Sequence, residues 1–257
     1  MSLNTLSFDK DQIIFLGTGG GRFVVFNQLR ASGGLWFSLS GKLFVIDPGP
    51  GALVKAFKHK IRPNKLSGIF LSHRHLDHCA DINAIIESMT DGGHKKRGTI
   101  IAPKDAIEID PVILKYNRKN YELINTKEYH KYEIDGITIT TKMKHHHPVE
   151  TYGAVFSNGN HSFSYIADTK YFADLPHEYC SDVVIANVVF CKERAGFQHL
   201  NVEDIYKFLE VCKPKKLIIT HFGLSFLNKK PWEKAREISK KTGVEVIAAW
   251  DNMVVDL

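Results

Sequence analysis

The chain has 257 residues, of which 44% are hydrophobic and 24% charged, values that are ordinary for a globular protein and exclude a largely disordered chain. Its formal charge of +6 is compatible with a phosphorylated or nucleic-acid partner, and 13 histidines are many for this length. No apolar run is long enough to cross a bilayer and no signal-like segment follows Met1, so we expect a cytoplasmic protein without a membrane partner.

Apolar periodicity predicts strands and helices along the whole chain. The predicted strands are Gln12–Gly17, Leu35–Leu39, Leu43–Asp47, Leu66–Leu71, Ile137–Lys144, Tyr152–Ser157, Phe163–Ala167, Asp182–Ile185, Lys216–Thr220, Glu245–Ala248 and Met253–Asp256. The predicted helices are Ala52–Lys60, Asp81–Met89, Val202–Cys212 and Pro231–Thr242. Asn201 is expected to cap the third helix, with Asp204 three residues on. Two groups of strands with interspersed helices, and no linker between them, predict a layered α/β sandwich formed by one domain over residues 1–257.

Cysteines and basic residues carry weaker signals. The four cysteines, Cys79, Cys180, Cys191 and Cys212, form no C-x-x-C pair, so we expect reduced, unpaired thiols. Positive charge is densest at Lys95-Lys96-Arg97 and Lys213-x-Lys215-Lys216, which we interpret as solvated turns.

Several predicted strands stop at a histidine or an aspartate. The residues at or shortly after the ends of these strands are Asp47, His73, His147, Asp168 and His221. Any turn residue could end a core strand, so repeated ending in metal-ligand types indicates that the strand ends converge on one site.

The segment His73-Arg74-His75-Leu76-Asp77-His78 places four potential metal ligands within six residues. Imidazole nitrogen and carboxylate oxygen suit zinc, iron or manganese. A regular strand would send His78 to the face opposite His73, so joint binding requires an irregular backbone here. The alternative, a histidine-rich surface loop, leaves the matching residues at later strand ends unexplained.

In this order, His-x-His-x-Asp-His, a later histidine, Ala167-Asp168-Thr169 and Thr220-His221 resemble the metallo-β-lactamase superfamily. Leu16-Gly17-Thr18-Gly19 and Ile46-Asp47-Pro48-Gly49 extend the resemblance over nearly the whole chain. The segment from His147 to Gly153 resembles the transfer-RNA 3′-processing endonucleases (RNase Z) and related phosphodiesterases. The resemblance implies a four-layer αββα sandwich.

The resemblance also implies two divalent metal ions, zinc in the first place and manganese or iron as alternatives. The implied ligands are His73, His75 and His147 for one ion, Asp77, His78 and His221 for the other, and Asp168 as a bridge. The candidate catalytic residues are Asp77 and His199, the second as a proton donor, although Asn201 stands where the family pattern has threonine or serine.

Further residues near these motifs receive subsidiary interpretations. Spacing to Gly153 favours His147 over its neighbours as the ligand, and His145 and His146 are expected to be partly exposed. Asp47 is expected to orient a ligating histidine or the glycine-rich turn, and capping of the helix after Pro48 is an equal possibility that is compatible with this role. The remaining expectations are a tight turn at residues 17–21 bordering the site, a buried non-ligand thiol at Cys79, and solvated side chains for His59, His94, His130, His161 and His177.

Two metal ions can share a water and lower its pKa, so that a metal-bridging hydroxide attacks phosphorus or a carbonyl carbon. Asp77-His78 argues against the secreted β-lactam hydrolases, and the segment Asp105–Lys131 does not resemble the arm with which RNase Z holds transfer RNA. We therefore expect a phosphodiesterase acting on a small or cyclic phosphodiester or on RNA, with a homodimer as an option. The alternatives are hydrolysis of a carboxylic ester, thioester or lactone, and a non-catalytic nucleic-acid-binding protein.

Overall fold

Two β-sheets lie face to face in the computed structural model, which describes residues 5–7 and 9–257. Strands are numbered in chain order. Within the described residues the first sheet contains β1 (Gln12–Gly17), β2 (Ser32–Leu39), β3 (Lys42–Ile46), β4 (Leu66–Phe70), β5 (Thr99–Ala102), β6 (Glu122–Asn125) and β15 (Met253–Asp256). Their spatial order is β15-β1-β2-β3-β4-β5-β6, and β3 to β6 run parallel.

The second sheet repeats this combination of parallel and antiparallel strands. It contains β7 (Lys131–Ile134), β8 (Ile137–Thr141), β9 (Ala154–Ser157), β10 (Ser162–Ile166), β11 (Val183–Phe190), β13 (Lys216–Thr220) and β14 (Glu245–Ala248), and the short β12 (Leu200–Asn201) pairs with β11. The strands β10, β11, β13 and β14 are parallel, so their carboxyl ends lie along one edge.

Aromatic side chains fill the space between the sheets. The Phe37 ring packs edge-on against Phe156 and Phe163 of the opposite sheet, with both centroid separations at 5.0 Å. Alternating residues of each strand supply this core because successive side chains of a strand point to opposite faces. Their other faces pack under helices, so burial on both sides explains the nearly continuous apolar strands.

Helices cover both outer faces. The helices α2 (Ala52–Lys58) and α4 (Ile82–Met89) pack on the first sheet, and α6 (Val202–Val211) and α8 (Pro231–Thr242) pack on the second. The Asn201 side chain accepts from the Glu203 amide, and the Asp204 side chain completes the predicted capping box. The four-layer αββα architecture is confirmed. No helix in the described ranges has the length and apolar character needed to cross a membrane.

Several elements differ from the predictions. The helix α1 (Gly21–Phe26) follows the glycine-rich turn, and its exposed Phe23 and Phe26 hide any core-facing pattern. The strands β5, β6 and β7 have four residues each, too few to establish a period of two. The strand β8 ends at Thr141 rather than Lys144, and β11 continues past Ile185 to Phe190. The remaining short helices are α3 (Leu76–Cys79), α5 (Leu175–Glu178) and α7 (Leu224–Leu227).

The expectation of four unpaired thiols is wrong. Cys180 and Cys212 form a disulfide with their Cα atoms 5.7 Å apart, while Cys79 and Cys191 are free. The two bonded residues are 32 positions apart in sequence, and no local motif joins them. They meet because Cys180 precedes β11 and Cys212 precedes β13, two neighbouring parallel strands. Pairing therefore follows from the sheet order rather than from cysteine spacing.

Candidate metal centre

The carboxyl ends of β4, β10 and β13 meet the loop that follows β8 at one edge of the sandwich. This meeting brings the seven predicted ligands together. Within the described residues they form the groups His73–His75–His147, Asp77–His78–His221 and His73–His78–Asp168, whose ligand atoms lie within 4.8 Å of one another in each group. The first two groups are the two triplets that the resemblance implies. The roles of individual ligands stay a prediction.

The segment after β4 leaves the sheet abruptly, as the motif requires. The Asp47 carboxylate accepts hydrogen bonds from the Ser72 amide and the Ser72 hydroxyl, both at 2.7 Å, where strand pairing stops. Three residues later His75 is the N-cap of the short helix α3. This irregular backbone lets His73, His75 and His78 all face the same centre, which an uninterrupted strand would not allow.

In the first triplet, three imidazole nitrogens converge. His75 Nδ1 lies 3.1 Å from His73 Nε2 and 3.2 Å from His147 Nε2. Zinc–nitrogen bonds of about 2.0–2.1 Å in a tetrahedron separate ligand nitrogens by roughly 3.3 Å. The three side chains therefore fit a common divalent ion.

The second triplet has the same compactness and adds a carboxylate. His78 Nε2 lies 2.9 Å from His221 Nε2, and Asp77 Oδ2 lies 3.5 Å from that His221 nitrogen. Asp168 Oδ2 lies 3.7 Å from His78 Nε2 and 4.0 Å from His73 Nε2, between the two triplets. One carboxylate within reach of both groups is the placement that a bridging ligand needs.

A buried hydrogen-bond network orients these ligands, and two of its members were not predicted. Asp47 Oδ2 lies 2.9 Å from His78 Nδ1 and accepts from the Tyr165 hydroxyl at 2.8 Å. Asn187 donates through Nδ2 to that hydroxyl at 3.2 Å and to Asp168 Oδ1 at 2.9 Å. Partners of this kind fix the orientation of metal ligands. The signal for Asn187 was present, because it is a lone polar residue in the buried strand β11.

The position of Asp47 tests both of its predicted roles. Its carboxylate contacts His78 and Ser72, so it orients a ligand. The helix α2 has Gly51 at its N-cap and no side-chain cap, so the helix-capping alternative is wrong. The glycine turn borders the site as expected, because a Cβ at Gly20 would overlap the His221 ring.

Similarity to known proteins agrees with this geometry. The family model described as Beta-lactamase superfamily domain matches residues 43–222. The chain belongs to the metallo-β-lactamase superfamily. An uncharacterized protein of Methanocaldococcus jannaschii is 32% identical over 255 residues, covering 96% of this chain and 95% of that protein.

Two further similarities concern part of the sequence and the fold. Ribonuclease Z of Methanosarcina mazei is 34% identical over 114 residues, which is 44% of this chain and 36% of that enzyme. The crystal structure of the metallo-β-lactamase fold protein YhfI from Bacillus subtilis superimposes with a TM-score of 0.81 at 23% identity, covering 96% of this chain and 99% of that one. The superfamily and these neighbours include metal-dependent hydrolases, and the histidine–aspartate cluster could hold divalent ions.

The charges of the superfamily site favour cation binding. Burial alone would raise the pKa of Asp168, but His221, His199 and His78 outweigh it and hold that pKa well below its usual value. Burial would likewise raise the pKa of Asp77, and His78 and His221 reverse the shift. Both carboxylates are therefore ionised at neutral pH, and a divalent cation would neutralise them among the imidazole rings.

The predictions for the three consecutive histidines, His145, His146 and His147, are only partly correct. His147 faces the centre, and its Nδ1 lies 3.2 Å from the Gln198 carbonyl, which orients Nε2 toward the ligands. His146 is exposed, as predicted, but the prediction of partial exposure for His145 is wrong. His145 is buried with Nε2 at 2.9 Å from the Tyr179 hydroxyl, and burial lowers its pKa to about 3. It is a neutral structural histidine beneath the site.

Among the remaining predictions for cysteine and histidine side chains, one is wrong. Cys79 is buried, donates to the Arg74 carbonyl at 3.3 Å, and belongs to none of the candidate metal groups of the described residues, as predicted for a non-ligand thiol. His59 is buried, which corrects the expectation of solvation. The histidines found exposed as expected are His94, His130, His161 and His177.

His199 lies at the rim of the two triplets. Its Nδ1 is 3.4 Å from Asp168 Oδ2, and its ring centroid is 5.2 Å from that of His147. The side chain is mostly buried, with 18% of its surface exposed. Part of the segment Asp105–Lys131 forms β6 at the sheet edge, and its first residue contacts the ligand motif, because the Asp105 carboxylate accepts from Arg74 Nε at 3.0 Å.

Proposed function

We propose that the chain is a dinuclear metal-dependent phosphodiesterase that cleaves a small or cyclic phosphodiester, with zinc as the preferred ion. In this proposal His73, His75 and His147 bind one ion, Asp77, His78 and His221 bind the second, and Asp168 bridges them. When bound, the two ions would activate a water and offset charge on the phosphoryl oxygens. Asp77 takes part in catalysis as a ligand, and Asp47 and Asn187 hold His78 and Asp168 in position.

The observation that carries the proposal is the position of His199 beside the bridging carboxylate. An alkoxide leaving from phosphorus needs a proton, and a histidine at the rim of the centre can donate it. Burial lowers the pKa of His199, which reduces the protonated fraction at neutral pH but makes each imidazolium a stronger acid. Hydrolysis of a good leaving group requires no such residue.

An aromatic and cationic surface beside His199 supports a nucleotide-like substrate. The Phe190 ring packs edge-on against both Phe197 and His199, with centroid separations of 5.6 Å and 5.8 Å. Phe197 is half exposed, and the Arg194 guanidinium lies 4.8 Å from its ring centroid. An exposed ring of this kind can stack against a base, and the guanidinium can bind a phosphate.

RNA is a second candidate substrate, and the similarity to ribonuclease Z favours it. That similarity covers 44% of this chain, so it supports the shared metal centre more than a shared substrate. A panel containing cyclic nucleotides, precursor RNA, thioesters and lactones separates these options, including the carboxylic ester alternative. Cytoplasmic location and homodimer formation stay predictions from the sequence.

The variant His199→Ala tests the proposal on two substrates that differ in leaving group. A general acid contributes roughly 10²–10⁴-fold, but only where the leaving group must be protonated. We expect a loss in this range for a substrate with a ribose alkoxide leaving group and a far smaller loss for bis-aryl phosphate, at unchanged metal content.

The matched control is His94→Ala, which removes an exposed histidine outside the candidate metal groups of the described chain. Equal losses of His199→Ala on both substrates would make His199 a binding or structural residue. No loss on either substrate would remove the reason for preferring phosphodiesters over esters.

A further inference from the structure

A cavity lies at the end of the sandwich opposite the candidate metal centre. Its volume is about 680 Å³, and it opens between the starts of β4, β5 and β6 and the turn that joins β7 to β8. Since β4 has five residues at about 3.3 Å each, roughly 15 Å of strand separates the cavity from the loop that begins the ligand motif. We call this cavity the basal cleft. None of the predicted metal ligands lines it.

The charge of the basal cleft is mostly positive and unpaired. Its cations are Lys42, Lys65, Lys96 and Arg97. Across residues 5–7 and 9–257, none of the four comes within 4.0 Å of a carboxylate oxygen, whereas the adjacent Lys95 pairs with Asp91 at 2.7 Å.

The acidic residues of the cleft already have partners. Asp135 accepts from the Ser67 hydroxyl at 2.6 Å, and Glu122 accepts from the Thr99 hydroxyl at 3.1 Å. These bonds tie the two carboxylates to the cleft wall. The four cations outnumber these two carboxylates, so the cleft keeps a net positive charge that would attract an anion from outside the chain.

The volume and the lining residues of the basal cleft limit the kinds of anion that would fit it. The volume is within the range of about 300–1,000 Å³ that is typical of small-molecule sites. Leu66, Tyr121 and Ile134 form an apolar and aromatic floor of the cleft beside the cations, and only a small part of these side chains is exposed. A ligand with a phosphate and a flat apolar part matches this combination better than inorganic phosphate does. A compact cavity also suits a small molecule better than a polymer, which needs a continuous basic groove.

We propose that the basal cleft is a non-catalytic binding site for a phosphorylated small molecule of nucleotide size. Lys95-Lys96-Arg97 is the solvated turn that was predicted, and the proposal adds a binding role for Lys96 and Arg97, which line the cleft. The site is independent of the proposed phosphodiesterase activity.

The test measures binding of AMP, adenosine and inorganic phosphate to the metal-loaded protein by calorimetry. AMP is a phosphomonoester, so a phosphodiesterase does not consume it during the titration. We expect AMP to bind more tightly than either part, and the double variant Lys65→Ala/Arg97→Ala to weaken AMP binding by at least about tenfold. Hydrolysis of bis-aryl phosphate by the same variant should be unchanged.

The matched control is Lys229→Ala/Lys240→Ala, which removes two exposed lysines outside the cleft that form no ion pair with the described residues. Any AMP bound by the metals is present in wild type and in both variants, so only the difference between variants reports on the cleft. Equal AMP affinity in all three proteins would overturn the proposal, as would phosphate binding as tightly as AMP. An RNA oligonucleotide that displaces AMP and binds more tightly through Lys65 and Arg97 would replace it with an RNA surface.

Discussion

The two ends of the sandwich use polar residues in opposite ways. At the end that holds the metal centre, buried polar groups partner one another, as in the chain of contacts from His78 through Asp47 and Tyr165 to Asn187. At the other end the cations of the basal cleft lack ion partners in the described chain, and a disulfide joins the segments that precede β11 and β13. Parallel strands produce this division, because their carboxyl ends share one edge. Substitutions at the metal end should therefore change activity, and those at the other end should change stability or secondary binding.

Removing the carboxylate that is proposed to bridge the two ions should have the largest effect on the metal end. Asp168→Ala should lose much of both ions from a protein that otherwise holds about two per chain, because Asp168 lies between both triplets. Loss of several kcal/mol of charge stabilisation corresponds to a fall in phosphodiester hydrolysis of roughly 10³-fold or more. Elemental analysis and steady-state kinetics on the same sample measure the two losses.

The control for Asp168→Ala is Asp182→Ala, which removes an exposed carboxylate at the other end, paired only with Lys215 at 2.8 Å. It should keep both ions and full activity. Full metal occupancy in Asp168→Ala would show that this carboxylate does not bridge, and the division between the two ends would then rest on the histidines alone.

Substitutions at the three consecutive residues His145, His146 and His147 test the difference between the two ends more finely. His147→Ala should lose one ion and at least about tenfold in activity, because His147 completes the first triplet. His145→Ala should keep both ions but lose about 1–3 kcal/mol of unfolding free energy, since it removes one of the hydrogen-bond partners of the buried Tyr179 hydroxyl. The exposed His146→Ala is the control and should resemble wild type. Metal loss in His145→Ala with retention in His147→Ala would contradict the geometry.

The metal end could largely be predicted from sequence, because strand ends and motif order carry the information. The ligand motif and the later strand-end residues converge as the resemblance implies. The orienting role of Tyr165 could not be predicted, since a tyrosine in an apolar strand is ordinarily core. Asn187 was overlooked although a lone amide in a buried strand requires a partner.

The opposite end was harder to predict, because its features join residues that are distant in sequence. The disulfide depends on the adjacency of β11 and β13, and the basal cleft depends on both sheets. The burial of His145 has the same cause, because its partner Tyr179 comes from beyond the next two strands. Local periodicity predicts helices and strands, but it carries no information on contacts between residues that are distant in sequence.

The disulfide provides the smallest expected effect on function and the clearest separation of the two ends. Closing a loop of 32 residues lowers the entropy of the unfolded chain by an amount worth about 3–4 kcal/mol in the chain-entropy account. For a chain of this length such a loss lowers the melting temperature by roughly 6–16 °C. Cys180→Ala/Cys212→Ala should show this shift, and wild type with reductant should approach it. Metal content and hydrolysis of bis-aryl phosphate, assayed well below the transition, should stay within about twofold of wild type. The free thiol variant Cys191→Ala controls for loss of a sulfur alone. Loss of metal or activity in the double variant would mean that the end opposite the metals also maintains the ligand geometry.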